Sequence, residues 1–428
     1  MKLITAEQFL NNNADQSSAA DDEKKIDQAV LEIIQEVRSS GDKALYDYTK
    51  KFDKVELDQL AVTEEEFLEA EKQVSDSFIQ ALRKAQQNIS EFHQNQMEKS
   101  WFVNKEPGIM LGQKVTPLEK VGVYIPGGKA AYPSSVLMNV IPARLAGVET
   151  VAITTPPQSD GSINPHVLVA AKQAGADKVY KLGGAQAIAA LAYGTESIPK
   201  VAKIVGPGNA FVARAKKWVY GDVAIDMIAG PSEICVLADD TASPKYIAAD
   251  LLSQAEHDES ARAVCVTISE PLAEQVIMEV RQQASRLERK EIIDQSLEQF
   301  GKVILAADKE EAFNVVNIIA PEHLELMIEN PQEQLEYVKN AGAIFLGSYS
   351  PEPLGDYFAG PNHTLPTSAT AAFASPLGVY DFIKKSSVIQ YSQEALREAA
   401  SSIQTLAETE GLTAHSNAIQ VRKDGPHA

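Results

Sequence analysis

The chain has 428 residues, of which 44% are hydrophobic and 23% charged, a composition typical of globular proteins. Lysine and arginine number 39 and aspartate and glutamate 59, so the formal net charge is −20. That charge argues against a nucleic acid or an anionic membrane surface as the main partner. No stretch approaches the ~18 apolar residues of a transmembrane helix, and the first residues show no signal-peptide pattern. We therefore expect a cytoplasmic protein.

The first hundred residues carry helical patterns. Apolar residues recur at helical spacing across Asp22–Ser39. Thr63 and Glu66 form a capping box at the start of a long amphipathic helix. The pattern predicts a helical N-terminal segment over residues 1–119, which we expect to pack on the second of two α/β domains that follow.

From residue 120 onwards, short apolar runs alternate with helical runs. The first series of predicted strands lies near residues 121–125, 150–155, 178–182 and 203–205, and the second near 233–238, 263–269, 302–306, 324–328 and 343–346. This alternation predicts an α/β fold with two tandem doubly wound, Rossmann-like parallel-sheet domains, at residues 120–232 and 233–378. Residues 379–428 are predicted to form a C-terminal helical extension.

Glycine-rich turns follow three strands of the first series, at residues 126–128, 183–184 and 206–208. Ligands of open α/β sheets bind beyond the carboxyl ends of the strands, and a helix that starts there favours an anion. The dinucleotide motif GxGxxG is absent, because Phe211 stands where the third glycine of Gly206–Phe211 would be. The turns alone therefore predict a phosphate-sized ligand or simply tight connections, and do not specify NAD.

Four polar side chains form a candidate metal set. Gln254 and His257 share one face of a predicted helix, Asp356 lies in a turn-rich loop, and His415 follows the last helix. Together they would give nitrogen and oxygen donors suited to zinc or a similar divalent ion. The spacing does not establish that they converge, and each is equally compatible with an ordinary surface or core position.

Two further pairs of residues have a chemical interpretation. Glu322 and His323, at a helix-to-strand turn, could transfer protons in succession, although a bare Glu-His dipeptide also occurs by chance. Cys235 and Cys265 lie inside apolar strands, so we expect buried, unreactive thiols.

Eight stretches, taken together, resemble the L-histidinol dehydrogenase family. They are Gly122–Gly128, Gly183–Ile188, Val205–Phe211, Ile225–Glu233, Leu252–Asp258, Ala320–Leu324, Gly360–Pro366 and Glu410–His415. The stretches IDMIAGPSE and SQAEHD are specific, and all eight occur in the family's order. One departure is that Thr367–Phe373 lacks the glycines expected there, which leaves the shape of that loop open.

The resemblance implies one zinc ion per site, held by Gln254, His257, Asp356 and His415. It also implies that Tyr124, Gln186 and Asn209 contact NAD. Positions that would line the substrate are Ser232, Gln254, His257, His323, Asp356, His363, Glu410 and His415.

The implied reaction is a four-electron oxidation of L-histidinol to L-histidine through an enzyme-held aldehyde, with two NAD reduced and with His323 and Glu322 as proton-transfer bases. The resemblance further implies a homodimer in which Glu410 and His415 complete the partner's site.

Two other functions stay open. One is a zinc hydrolase in which Glu322 activates water, which would need no NAD. The other is a non-catalytic relative that binds an imidazole or amino acid, against which the presence of both Glu322 and His323 argues.

Overall fold

A computed structural model of the chain describes residues 1–12, 20–127 and 131–424. The strands are β1 (Lys2–Thr5), β2 (Trp101–Glu106), β3 (Ile109–Pro117), β4 (Lys120–Tyr124), β5 (Thr150–Thr155), β6 (Lys178–Lys181), β7 (Lys203–Val205), β8 (Ala224–Ile225), β9 (Glu233–Ala238), β10 (Arg262–Thr267), β11 (Lys302–Leu305), β12 (His323–Met327), β13 (Ala343–Leu346) and β14 (Ile383–Tyr391). By their internal packing, Met1–Gln96 and Leu118–Phe382 form a first unit, and Met97–Pro117 and Ile383–Ala428 a second unit.

Sixteen helices are assigned within the described residues. They are α1 (Ala6–Asn12), α2 (Ala20–Ser40), α3 (Asp42–Phe52), α4 (Glu64–Gln73), α5 (Asp76–Gln94), α6 (Pro133–Ala146), α7 (Pro165–Ala174), α8 (Gly184–Tyr193), α9 (Ala210–Val219), α10 (Pro244–Ala255), α11 (Glu270–Ala284), α12 (Lys290–Gln299), α13 (Lys309–Ile319), α14 (Glu352–Tyr357), α15 (Gln393–Thr409) and α16 (Thr413–Asp424). None of these described helices is long and apolar enough to cross a membrane.

The first parallel sheet has the strand order β6-β5-β4-β7-β8. Counted along the chain this is 3-2-1-4-5, the order of a doubly wound sheet whose topological switch lies between β4 and β7. Val121 and Val123 of β4 belong to the apolar cluster that includes α6 and α7, whereas Tyr124 belongs to the cluster that includes α8 and α9. Helices therefore cover both faces, as the alternating pattern predicts.

The second parallel sheet repeats that order. Its strands run β1-β11-β10-β9-β12-β13, so β9 to β13 again follow the order 3-2-1-4-5, with β1 added at one edge. Cys265 contributes to the cluster with α10 to α12 and Cys235 to the cluster with α13 on the opposite face, and both thiols are buried. The predicted class, two tandem Rossmann-like sheets, is confirmed.

The packing expected of the N-terminal segment is wrong for most of its length. Of the elements described in this segment, only β1 and α1 join the second sheet, where β1 pairs with β11. Val30 and Ile33 of α2 pack instead in the cluster of α8, and Leu82 of α5 packs in the cluster of α6. These helices are amphipathic, and their apolar stripes cover helices of the first sheet.

The second unit contains strands where helices were predicted. Strands β2, β3 and β14 form an antiparallel sheet in the order β14-β3-β2, and α15 and α16 follow. The segments 101–117 and 383–391 were expected to belong to helical extensions, which is wrong. A turn with Gly108 at φ +78° joins β2 to β3, and a left-handed backbone favours glycine there. The predicted boundaries at residues 120, 233 and 379 stay a prediction.

Candidate functional site

Glu322 and His323 lie where β12 begins, beside the first residue of β9. Both strands are buried and parallel, and His323 is in register with Ile234. The backbone of Glu233 contacts both side chains: its carbonyl oxygen lies 3.0 Å from His323 Nδ1, and its amide nitrogen donates to Glu322 Oε2 over 2.9 Å. The two side chains are thereby fixed by the neighbouring strand, with His323 Nδ1 and Glu322 Oε2 3.7 Å apart.

The carbonyl of Glu233 also determines which nitrogen of His323 carries the proton. Because a carbonyl oxygen only accepts, Nδ1 donates, and Nε2 keeps its lone pair. This Nε2 is buried and has no hydrogen-bond partner among the described residues. Burial lowers the pKa of His323 below its ordinary value, against a smaller opposite effect of Asp356. A neutral imidazole with a free lone pair is the form that accepts a proton.

Glu322 is buried, and no lysine or arginine of the described residues pairs with its carboxyl group. Burial raises the pKa of Glu322 well above its ordinary value, and the nearby carboxyl groups of Asp356, Glu233 and Glu352 raise it further, whereas the hydrogen bond from the Glu233 amide lowers it. With a raised pKa, the carboxyl group of Glu322 holds a proton more tightly than an ordinary glutamate does.

A group of metal-ligand type lies next to His323. His257, Glu352 and Asp356 each offer one ligand atom, and these atoms lie within 4.8 Å of one another. Gln254 is 1% exposed, and its buried Oε1 has no hydrogen-bond partner in the described part of the chain. An unpaired buried amide oxygen is unfavourable unless it meets a ligand, so this nitrogen and oxygen set suits a divalent cation such as zinc.

Glu352 was missed by the sequence reasoning. It is 2% exposed and begins α14, one turn before Asp356, so the two carboxyl groups lie on one side of the helix. The backbone amide of Glu352 donates to Glu325 Oε1 over 2.8 Å. The hydroxyl of Ser253 donates to Glu352 Oε2 over 3.3 Å. Burial together with Asp356 raises the pKa of Glu352. The four-residue spacing from Asp356 is the signal that could have identified it.

The loop after α14 links Asp356 to the first sheet. His363 Nδ1 lies 3.0 Å from the carbonyl oxygen of Asp356, and His363 Nε2 lies 3.2 Å from Ser135 Oγ at the start of α6. Asn362 Nδ2 donates to the carbonyl of Met138 over 2.6 Å. His323 Nε2 faces the same loop, 3.9 Å from Asp356 Oδ1. A cavity of 510 Å³ opens among His323, Asp356, His363, Phe345 and Leu354.

The loop at Thr367–Phe373 takes a left-handed backbone without glycine. Ser368 and Ala369 have φ of 55° and 62°. Hydrogen bonds hold this strained segment: Gly230 N donates to Thr367 Oγ1 over 2.6 Å, and Ser368 N donates to Glu233 Oε2 over 3.1 Å. Ser232, between Gly230 and Glu233, is half-buried and accepts from the Arg262 amide through its carbonyl.

The residues predicted to contact NAD lie at the carboxyl ends of the first sheet. The hydroxyl oxygen of Tyr124 accepts from the Gly184 amide over 3.1 Å, and burial raises the pKa of Tyr124 to about 12. Gln186 is 1% exposed, with Oε1 unpartnered in the described residues. Asn209 caps α9 by accepting from the Phe211 and Val212 amides. Gly128, of the turn after β4, lies outside the described residues.

Glu410 and His415 belong to the second unit. Glu410 caps the end of α15, His415 lies in α16, and both side chains are exposed.

Comparison with known proteins gives a consistent result over the whole chain. A family model described as histidinol dehydrogenase matches residues 16–423. The chain is 55% identical over 428 residues to a histidinol dehydrogenase of Oceanobacillus iheyensis, covering 100% of both chains, and 59% identical over 390 residues to one of Clostridium acetobutylicum, covering 91% of this chain and 90% of the relative. A crystal structure of histidinol dehydrogenase from Elizabethkingia anophelis has a TM-score of 0.91 at 38% identity, covering 100% of this chain and 99% of that one. The chain therefore belongs to the histidinol dehydrogenase family.

Proposed function

We propose that the protein oxidises L-histidinol to L-histidine through enzyme-held L-histidinaldehyde, depends on zinc, and reduces two NAD per substrate. The observation that carries the proposal is the pair at the start of β12. His323 Nε2 is buried 3.9 Å from Asp356 Oδ1 and has no hydrogen-bond partner in the described part of the chain, and Glu322 is held beside the same ring. Two proton-transfer groups side by side at the start of β12 suit a reaction that needs two successive oxidations.

The zinc ion would be held by Gln254, His257, Asp356 and His415. The unpaired Oε1 of Gln254 and the close approach of His257 to Asp356 support the first three. Bound zinc would supply a positive centre that orients the imidazole and amino groups of the substrate, the template role of a catalytic metal. Glu352, which lies with His257 and Asp356, adds an oxygen donor to this set.

The first sheet would bind the nucleotide through Tyr124, Gln186 and Asn209, which lie at or just after the carboxyl ends of β4, β6 and β7. Bound NAD would supply the hydride acceptor in each oxidation. The buried, unpartnered Oε1 of Gln186 is an acceptor that a ribose or amide donor could satisfy.

In the first oxidation, His323 Nε2 takes the proton of the substrate hydroxyl while Nδ1 stays bound to the Glu233 carbonyl. Glu322 then removes a proton from the water that hydrates the aldehyde, and His323 assists the second oxidation by taking the hydrate proton. Ser232, His363 and Glu410 would line the substrate. Holding the aldehyde in the site until the second oxidation would limit its side reactions.

We propose a homodimer in which Glu410 and His415 act in the partner's site. Their exposure leaves both side chains available to a second chain. The second unit also exposes large apolar side chains, with Trp101 and Phe102 each 51% and Leu406 67% accessible. Apolar surface of this kind is typical of an interface. The cytoplasm stays our prediction for the compartment.

The test is the amount of NADH formed per histidinol consumed, before and after removal of metal by a chelator, and after zinc is restored. We expect about two NADH per histidinol, loss of activity with the chelator, and recovery with zinc. One NADH per histidinol would mean that the aldehyde is released and that the role of Glu322 is wrong. Folded, zinc-loaded protein that forms no NADH would instead favour a hydrolase or a binding protein.

A further inference from the structure

Gly206, which directly follows β7, has a backbone that only glycine can adopt here. Its φ is +109°, and a Cβ atom would lie 2.1 Å from the carbonyl oxygen of Tyr124. The turn is therefore pressed against the end of β4, on the other side of the topological switch. Asn209, three residues later, caps α9. A change in the backbone orientation of Gly206 would therefore shift the position of Asn209.

A buried ion pair binds both peptide groups of Gly206. Lys216 Nζ donates to the Gly206 carbonyl over 2.9 Å, and the Gly206 amide donates to Asp226 Oδ2 over 2.7 Å. Asp226 Oδ1 accepts from the Met227 amide over 2.6 Å and also pairs with Lys216. The side chains of Lys216 and Asp226 are only 2% and 1% exposed.

A pair this deeply buried is a poor source of stability. Desolvation of two charges offsets most of their attraction, and apolar residues of similar volume often stabilise a protein equally well. An apolar pair would also hold α9 beside β8, but it could not bind the amide and the carbonyl of one glycine together. The distinctive effect of Lys216 and Asp226 is thus to fix the orientation of the Gly206 peptide groups.

We infer that Lys216 and Asp226 are positioning residues for NAD, acting through the turn Gly206-Pro207-Gly208. The inference rests on the proposed binding of NAD at this turn. Neither side chain is exposed enough to touch the nucleotide, so they act by holding the turn in the geometry that NAD requires before NAD arrives. A preorganised turn lowers the entropic cost of binding NAD. A small misplacement of the groups that contact NAD is enough to weaken its binding strongly.

The test compares K216M with K203M in the zinc-loaded protein. Met keeps much of the length of lysine but removes the donor to the Gly206 carbonyl. Lys203 is the matched control: it is on β7, three residues before Gly206, and its side chain is 10% exposed. Its Nζ donates to Asp381 Oδ1 over 2.7 Å and to the Asp381 carbonyl over 2.9 Å. Both variants lose a buried cation, but only K216M frees the turn.

For K216M we expect KM and the dissociation constant for NAD to rise about tenfold or more, with KM for histidinol at saturating NAD changed less than about twofold and kcat kept within about threefold. For K203M we expect both KM values within about twofold of wild type, whatever the change in Tm. A K216M protein with wild-type NAD affinity, or equal losses for NAD and histidinol, would overturn the inference.

The variant D226N covers the case in which K216M does not fold, because it keeps the residue volume and one acceptor oxygen. We expect a rise of about threefold or more in KM for NAD alone. If D226N folds with unchanged NAD affinity, or if neither variant folds, the pair is structural and the inference is wrong. A wild-type protein that neither binds NAD nor forms NADH would instead contradict the proposed function.

Discussion

His323 has one nitrogen bound by the backbone and the other left free. The Glu233 carbonyl holds Nδ1, and Nε2 is buried with no partner in the described ranges. Because burial lowers the pKa of His323, the imidazole is neutral at neutral pH and can accept a proton. The local geometry thus favours base chemistry at Nε2 over a purely structural role for the ring.

The substitution H323N should separate turnover from binding. Asparagine can keep a donor for the Glu233 carbonyl but has no basic nitrogen, so kcat should fall by roughly 10²–10⁴-fold. The dissociation constant of histidinol, measured by calorimetry, should stay within about threefold. The control is H166N, at a half-buried histidine that begins α7, for which kcat should not change. An H323N protein with wild-type turnover would exclude His323 as the base.

Asp53, just after the end of α3, has a buried carboxyl group whose charge should lower the stability of the folded protein at high pH. Burial raises the pKa of Asp53 to about 6, and its Oδ2 has no hydrogen-bond partner among the residues described. The folded protein therefore holds this proton more tightly than the unfolded chain, whose pKa is about 3.9. The stability contributed by Asp53 is fully present below about pH 4 and is lost as the pH rises through about 6.

Because D53N removes the buried charge, it should be more stable than wild type at about pH 8, by about 1 kcal/mol once the solvent-exposed part of Asp53 is discounted. At about pH 4 the difference should disappear. Urea unfolding at both pH values measures it, with D58N at a nearby exposed aspartate as the control. Equal stability of D53N and wild type at pH 8 would show that the carboxylate has an unrecognised partner.

At the scale of elements, the boundary of α4 is set by a capping box. Thr63 Oγ1 accepts from the Glu66 amide over 3.2 Å, and Glu66 Oε2 accepts from the Thr63 amide over 2.9 Å. The sequence predicts this start correctly, because all the partners lie within four residues. The single long helix predicted from it is wrong, because α4 ends at Gln73 and Ser75 caps a second helix, α5.

Replacement of Thr63 by alanine should lower the free energy of unfolding by about 1 kcal/mol, since the Glu66 amide loses its acceptor. T63S keeps the hydroxyl and serves as the control, with a loss of less than about 0.5 kcal/mol. Guanidinium unfolding with an unchanged m-value tests the prediction. A T63A protein as stable as T63S would mean that water satisfies the amide and that the box contributes nothing measurable.

Elements that depend on distant partners were harder to predict. Strand β2 is exposed along its whole length, so its residues lack the alternation of buried and exposed side chains that identifies a half-buried strand. The central strand β3 pairs on its other side with β14, which lies roughly 270 residues further along the chain. Similarly, the contacts of Lys216 and Ser135 with other elements follow from tertiary packing and leave no local pattern. A Glu-His dipeptide alone is weak evidence, so the sequence offers Glu322 and His323 only as candidates, and the assignment of their roles rests on the family resemblance.

At the scale of the whole molecule, the two parallel sheets have the same strand order but carry their candidate functional residues at opposite ends of their strands. The first sheet carries its glycine turns at the carboxyl ends of β4 and β7, as the rule for open α/β sheets predicts. The second sheet carries Glu322 and His323 at the amino end of β12, where that rule would not place a site. Hydrogen bonds between α6 and residues 362–364 of the loop after α14 connect these two groups of strand ends. Under the proposed function, tandem repetition of one topology would give a composite site to which each sheet contributes different chemistry.

The proposed homodimer makes a prediction about mixed chains. If His415 acts in the partner's site, a chain carrying H415A still has an intact His323, and a chain carrying H323N still has an intact His415. Each heterodimer then contains one complete site. Random pairing of equal amounts should restore about a quarter of wild-type activity, although either variant alone is inactive.

The control mixes H323N with Q254A. Both substitutions lie in the first unit, so no pairing of these chains restores a complete site in either arrangement. Differently tagged chains, co-expressed and purified through both tags, isolate the heterodimer, whose activity should be about half of wild type for H415A with H323N. Inactive H415A–H323N heterodimers would show that His415 serves the site of its own chain. Recovery with H323N and Q254A as well would indicate residual activity of one variant and would remove the support for a shared site.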